Sequence, residues 1–198
     1  MKTMRTDIIN QLFLKEDFTS YLEIGVGNFA NFDEINAMHK YSVDSHKGDK
    51  CTFNMDSDTF FSLCTYYYDV IFVDGLHTYE QAYRDIKNSI DYLCPGGFIV
   101  IHDCNPRKKK YTGRRGRGQE TWNGDVYKAF VRIKHEMSDW SCFVVPGGCG
   151  ILTERPVLKN IQIGYTSDLT WEHFSAHRKG LLQTISYDDY VKLLKNDI

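Results

Sequence analysis

Three short stretches place chemically capable side chains beside a glycine or at the end of an apolar run. "IFVDGLHTYE" (71–80) sets Asp74 and His77 directly after a strand-like segment, and "FIVIHDC" (98–104) sets His102 and Asp103 after another. "YLEIGVGNFANF" (21–32) sets Glu23, Gly25 and Gly27 at a strand-to-helix turn. Parallel strands end along one edge of a sheet, so Asp74 and Asp103 converge if their strands are neighbours. Two close carboxylates repel unless they share a proton or a cation. A hard divalent ion such as Mg²⁺ suits them, with waters or substrate oxygens completing its octahedron. His77, fixed by the start of the next helix, is the natural general base. The blander alternatives stay open: Asp74 orients a cofactor or substrate hydroxyl without metal, His77 bonds a loop carbonyl, and His102 packs locally.

Glycines at the first turn let the backbone approach a ligand closely, and a following helix would offer free N–H groups. A second strand then leads through Val43 into Asp44. A carboxylate there can accept both hydroxyls of a ribose, which points to an adenosine-containing cofactor; a simple turn residue before Ser45 is the alternative. Gly25-Val26-Gly27-Asn28-Phe29-Ala30 also satisfies a dinucleotide fingerprint, so an NAD(P)-dependent oxidoreductase is a rival.

The elements that must carry these groups alternate between strand and helix periods, the pattern of a mostly parallel sheet with helices on its faces. Helices are expected over 6–17, near 30–37, over 58–64, from Thr78 to about Leu93, and from Val126 to Met137. Strands are expected at 21–24, 41–44, 69–73, 98–101, 141–145 and 149–153. Thr78 and Gln81 form a capping box ahead of Tyr79, Ala82, Tyr83, Ile86 and Ile90 at helical spacing. Pro95-Gly96-Gly97 punctuates before the fourth strand. Past Pro156 the pattern weakens, apart from Ser186 as the cap of a last helix. The organisation expected is one domain over 1–198: an N-terminal helix to residue 18, a core over 19–154, and a packed tail over 155–198.

The 198 residues carry 42% hydrophobic and 25% charged side chains with a net charge of −2, so no global field argues for nucleic acid or a membrane surface. No stretch reaches the length of an apolar membrane span. The first residues lack the apolar core of a secretory leader. Six cysteines without a Cys-x-x-Cys pair read as reduced thiols, and a cytoplasmic location is expected.

Taken in order, Glu23-Ile24-Gly25-Val26-Gly27, Asp44, Asp74 and "LCPGGFIVIHDC" resemble the motifs of class I S-adenosylmethionine-dependent methyltransferases. "DGLHTYEQAYRD" is similar to a narrower Asp-Gly-x-His-x-Tyr pattern, found in a branch that includes metal-dependent sugar O-methyltransferases of macrolide pathways. "NMDSDTFF" and "WNGDVYKAF" also resemble segments of that branch. The resemblance spans about residues 20–154. It implies a doubly wound, Rossmann-like sheet of seven strands with helices on both faces. It places the methionine part of the cofactor on Glu23, Gly25 and Gly27, with Asn28 in the same turn where many relatives have glycine. Asp44 falls on the ribose, Asp56 and Ser57 near the adenine. By the same resemblance Asp74 binds metal and His77 is the base, with Asp103 as second ligand and His102 a helper near the substrate.

A basic loop completes the inventory. Arg107, Lys108, Lys109, Lys110, Arg114, Arg115 and Arg117 fall between Asp103 and Glu120 with no acidic residue among them. Because the loop follows the Asp103 strand, it should hang over the active edge. It reads either as a solvated segment or as a lid attracting an anionic acceptor, such as a phosphate-bearing sugar. Tyr111 and Trp122 could stack bases, so a nucleic-acid-binding module or a nucleic-acid methyltransferase ranks behind a small acceptor. The expected activity is O-methylation of a hydroxyl on a sugar or similar polyhydroxy compound, with Mg²⁺ assistance.

Overall fold

The computed structural model describes residues 4–115, 121–162 and 168–195. Its centre is a six-stranded sheet: β1 (Ser20–Ile24), β2 (His39–Val43), β3 (Tyr68–Val73), β4 (Leu93–Ile101), β5 (Ser141–Val145) and β6 (Cys149–Thr153). The strand order is β2-β1-β3-β4-β6-β5. The first four are mutually parallel, and β6 inserts antiparallel between β4 and β5. Order reverses between β1 and β3, the switch point where open α/β sheets leave a crevice.

Period-two alternation sends successive side chains to opposite faces. Leu22, Ile24, Ile71, Val73, Ile99 and Ile101 face one layer, made of α2 (Ser57–Leu63), α3 (Tyr79–Asp91), α4 (Val126–Glu136) and α5 (Trp171–Leu182). Tyr21, Val70, Phe72, Phe98 and Val100 face the other, covered by α1 (Met4–Lys15) and α6 (Tyr187–Leu193). α1 seats through Ile8, Ile9 and Leu12, all fully buried, and Tyr190 of α6 donates its hydroxyl to the Ile8 carbonyl at 3.0 Å. Burial of each such side chain contributes roughly 1.5–3 kcal/mol. α5 and α6 thus add a helix to each face, and α5 is an element that the weak periodicity past Pro156 did not announce.

Other expectations shift. The stretch near 30–37 holds only a three-residue 3-10 turn, Phe32–Glu34, in place of a helix. Polar side chains divert the chain there: Asn10 donates to the Glu34 carbonyl at 2.9 Å and accepts from the Asn36 amide at 2.8 Å. Asn31 turns inward to Glu23 at 3.0 Å. The free helical N–H groups expected behind the glycine turn are therefore missing. β4 begins at Leu93, ahead of Pro95-Gly96-Gly97, and the register with β3 shifts between Tyr68 and Val70 to absorb the extra residues.

Among the described residues six strands stand where seven are expected. Beside β2 only a single parallel bridge, Val43 to Phe53, continues the sheet. Side-chain hydroxyls compete with the ladder at that edge: Thr52 Oγ1 accepts from the Ser42 amide at 3.2 Å, and Ser42 Oγ accepts from the Thr52 amide at 2.9 Å.

Candidate active site

Two cavities open at this edge of the sheet, one beside the ends of β1, β2 and β3 and one beside the segment that follows β4. One, about 450 Å³, is lined by Gly25, Gly27, Asp44, Ser57, Asp74 and Gln81 among others. That volume suits a nucleoside-sized ligand. Gly25 has φ +82° and lies so close to β3 that a Cβ would overlap the Asp74 carbonyl. Gly27, at φ +52°, faces open space, so its backbone is bare towards the cavity. Asp44 crosses the turn, accepting from the Val26 amide at 3.3 Å and the His46 amide at 2.9 Å. Asp56 caps α2 by accepting from the Thr59 amide at 2.8 Å, which puts Asp56 and Ser57 on the cavity wall.

Glu23 takes a different position. It is buried on the α1 side of β1, accepting from Tyr21 Oη at 2.5 Å and Asn31 Nδ2 at 3.0 Å. Burial pushes its carboxyl up to about 7. Asn28 is exposed and accepts from the Ala30 amide. Neither lines the cavity.

Asp74, His77, His102 and Asp103 form one cluster. His77 Nε2 lies 3.3 Å from Asp74 Oδ1, and Nδ1 lies 3.3 Å from both Asp103 Oδ2 and the Trp122 carbonyl. His102 Nδ1 lies 3.1 Å from Asp74 Oδ1 and 3.5 Å from Asp103 Oδ2. Asp103 has φ +61°, an uncommon conformation for a non-glycine residue, and this turns its carboxylate back into the cluster. Burial opposes charge here, but the histidines and Arg5 outweigh it and hold Asp74 well below the usual carboxylate range. Burial likewise opposes the His102 cation, yet Asp74 and Asp103 raise its pKa to about 10. His77 is raised too, burial being outweighed by the bond to Asp74 and the charges of both carboxylates.

The loop before α4 clamps His77. Its ring stacks on Trp122 at 4.9 Å between centroids, 22° from parallel, and Trp122 Nε1 donates to the Gly113 carbonyl at 2.8 Å. Asn123 Nδ2 donates to Asp103 Oδ1 at 2.5 Å, and the Asp125 amide donates to the His77 carbonyl at 2.9 Å. Trp122 therefore positions the histidine.

The basic loop divides. Arg107 lines the second cavity, about 470 Å³, together with Met4, Asn105, Tyr111, Asn123 and Ile185. Arg115 lies over the Trp122 ring at 6.0 Å, while Lys109 turns away to Glu172 at 2.6 Å. Lys108 precedes a short 3-10 turn, and Arg114 is exposed. Arg117 lies outside the described residues.

Sequence reasoning missed Arg5, whose Nη1 reaches Asp74 Oδ2 at 3.0 Å, and Asn123 and Gly124. Arg5 had no local signal. Asn123-Gly124 did signal a turn, without saying what it would face.

Asp74, His102 and Asp103 offer ligand atoms within 4.8 Å of one another. Two carboxylates and an imidazole are a donor set that divalent ions accept, so these residues fit a metal. Among the described residues no helix is long and apolar enough to cross a membrane.

The comparisons agree with this edge. Residues 27–104, from the glycine turn to the residue after Asp103, match the family model of a methyltransferase domain. Fold and family model point the same way: the matched segment is similar to a methyltransferase domain, and it lies on a Rossmann-like sheet. Its structure is similar to the MycE methyltransferase of the mycinamycin biosynthetic pathway in complex with Mg and SAH, with a TM-score of 0.53 and 14% identity over 82% of this chain and 51% of that one. The MycE complex with Mg, SAH and mycinamycin VI gives 0.52 and 13%, over 82% and 50%. An O-methyltransferase from Bacillus cereus in complex with SAH gives 0.53 and 12%, over 77% and 82%. At these identities the likeness is one of fold. The chain spans about half the length of the MycE structures. No curated protein matches it in sequence.

Proposed function

We propose that this protein transfers the methyl group of S-adenosylmethionine to a hydroxyl oxygen of a small, sugar-like or otherwise polyhydroxy acceptor. The observation that carries the reading is the His77 imidazole held between Asp74 and Asp103, with Asp74 itself on the wall of the cavity of Gly27 and Asp44. The complexes of MycE and of the Bacillus cereus O-methyltransferase with SAH support the choice of cofactor.

In this reading the cofactor occupies the cavity of Gly27 and Asp44, with Asp44 accepting from the ribose hydroxyls. The acceptor enters from the side of Arg107 and Asn123, and Arg107 gives that side a fixed positive charge for an anionic group. Nδ1 faces two acceptors, the Trp122 carbonyl and Asp103, and Nε2 faces one, Asp74, so the single proton of neutral His77 is better held at Nδ1 and the lone pair stays on Nε2. Nε2 takes the proton of the acceptor hydroxyl, and Asp74 stabilises the imidazolium that results. The freed oxygen pair attacks the methyl carbon in line, and the carbon–sulfur bond breaks to leave the neutral thioether. With no ion bound, Asp74 and Asp103 favour a cationic His102, which serves as a counter-charge; to join an ion it would give up that proton. Asp74, Asp103 and His102 would hold a divalent ion such as Mg²⁺, which lowers the pKa of a coordinated hydroxyl.

The test is release of S-adenosylhomocysteine from purified protein incubated with S-adenosylmethionine and a panel of free, phosphorylated and nucleotide-linked sugars, with and without EDTA. Turnover that EDTA abolishes and Mg²⁺ restores supports the whole reading. Turnover indifferent to EDTA removes the ion and keeps the transfer. Binding of NADH with no binding of S-adenosylmethionine would sink it.

A further inference from the structure

The guanidinium of Arg5 stands at the proposed ion site. It comes from the first turn of α1, packed on the opposite face of the sheet from α3 and α4, and reaches across the edge to the cluster. Nη1 lies 3.0 Å from Asp74 Oδ2 and 3.4 Å from both ring nitrogens of His102. It thus meets two of the three residues that would hold the ion. The placement is incompletely satisfied: Arg5 Nε is buried and has no hydrogen-bond partner among the described residues. A guanidinium keeps its charge at any ordinary pH.

We propose that Arg5 is a built-in counter-ion that competes with the divalent ion for Asp74. The inference rests on the reading of Asp74 and Asp103 as the ion-holding pair. A guanidinium and a dication cannot both sit about 3 Å from one carboxylate without strong mutual repulsion in a partly buried site. Without the ion, Arg5 neutralises Asp74 and spares the cluster an uncompensated carboxylate. With the ion bound, Arg5 withdraws. The helix permits this, because Ile8, Ile9 and Leu12 anchor it further along while Arg5 sits at its beginning, on a long side chain. Met4, its neighbour, lines the cavity of about 470 Å³, so a withdrawn Arg5 has space beside it to enter.

The experiment is titration of the full chain with Mn²⁺, free ion being read by electron paramagnetic resonance, for wild type, Arg5→Met, Arg5→Lys and Asp74→Asn. Losing the competing charge-assisted bond should tighten Mn²⁺ binding by roughly tenfold or more in Arg5→Met. Arg5→Lys should stay near wild type, and Asp74→Asn should bind weakly. Equal or weaker binding by Arg5→Met, with Mn²⁺ still bound, overturns the competition alone. No binding by any variant overturns both it and the ion assignment. Should Arg5→Met fail to fold, the Arg5 Nε–Hε resonance of ¹⁵N-labelled wild type decides. Saturating Mg²⁺ should move it together with the Asp74 amide, and an unmoved Arg5 signal beside a shifted Asp74 amide rejects the proposal.

Discussion

Gly124 lies flat against the backbone of His77, so close that a Cβ at 124 would overlap the His77 carbonyl oxygen. Gly124 also has φ +60°, where an L side chain is disfavoured. The His77 carbonyl meanwhile accepts from the Asp125 amide at 2.9 Å. The loop before α4 and the start of α3 therefore fix each other, and the imidazole between them.

Gly124→Ala tests that clamp. The left-handed conformation alone costs about 1–2 kcal/mol, and the overlap forces the two backbones apart. Thermal unfolding should occur at a lower temperature, and kcat/KM should fall further than stability explains. Normal turnover in a folded Gly124→Ala protein would mean that the imidazole does not need this support.

For His77 itself, replacement by Ala or Asn should lower kcat by about 10²–10⁴-fold, the range for loss of a general base. Affinity for S-adenosylmethionine should stay close to wild type, because His77 does not line the cavity of Gly27 and Asp44. Isothermal titration beside initial rates separates the two quantities.

Asp44→Ala should show the converse. Loss of the expected ribose contacts should weaken cofactor binding by roughly 10- to 100-fold, with kcat at saturating cofactor much less affected. Because Asp44 also accepts from the Val26 and His46 amides, Asp44→Asn is the control for the turn. Unchanged affinity in both variants would move the ribose elsewhere.

Glu23 predicts a pH dependence of stability. Burial raises its carboxyl from the ordinary 4.5 to about 7 in the folded chain. Between those values the unfolded chain has released the proton and the folded chain keeps it, so stability falls as pH rises and the loss is complete above about 7. Glu23→Gln removes this term. Urea unfolding at about pH 4 and about pH 8 should show the variant gaining on wild type by on the order of 3 kcal/mol at the higher pH. A constant difference between the two proteins would place Glu23 in a less buried setting.

Much of this was legible locally. The β5–β6 pair was readable as two apolar runs at 141–145 and 149–153, and Thr78 as an N-cap, its hydroxyl accepting from the Gln81 amide; the other half of the expected capping box gives way to bonds from the Gln81 side chain to Ser57 and Asp85. The segment after the glycine turn was misread as a helix because propensity ignores partners. Asn31 and Asn10 find theirs in Glu23 and the 34–36 backbone, and those bonds favour a single turn. α5 escaped notice because its buried Phe174, Leu181 and Leu182 make only a short apolar stripe along the helix.

By itself the sequence determined which strands end in Asp74 and Asp103, because apolar runs followed by a polar residue mark where a buried strand leaves the core. It also determined that a helix begins just after His77, since a cap is a local hydrogen bond. The tertiary structure alone decided what meets at that edge. Arg5 is 69 residues from Asp74 along the chain, and Trp122 is 45 from His77. Contacts across such separations depend on how α1 and the loop before α4 pack over the sheet, and no local pattern records that.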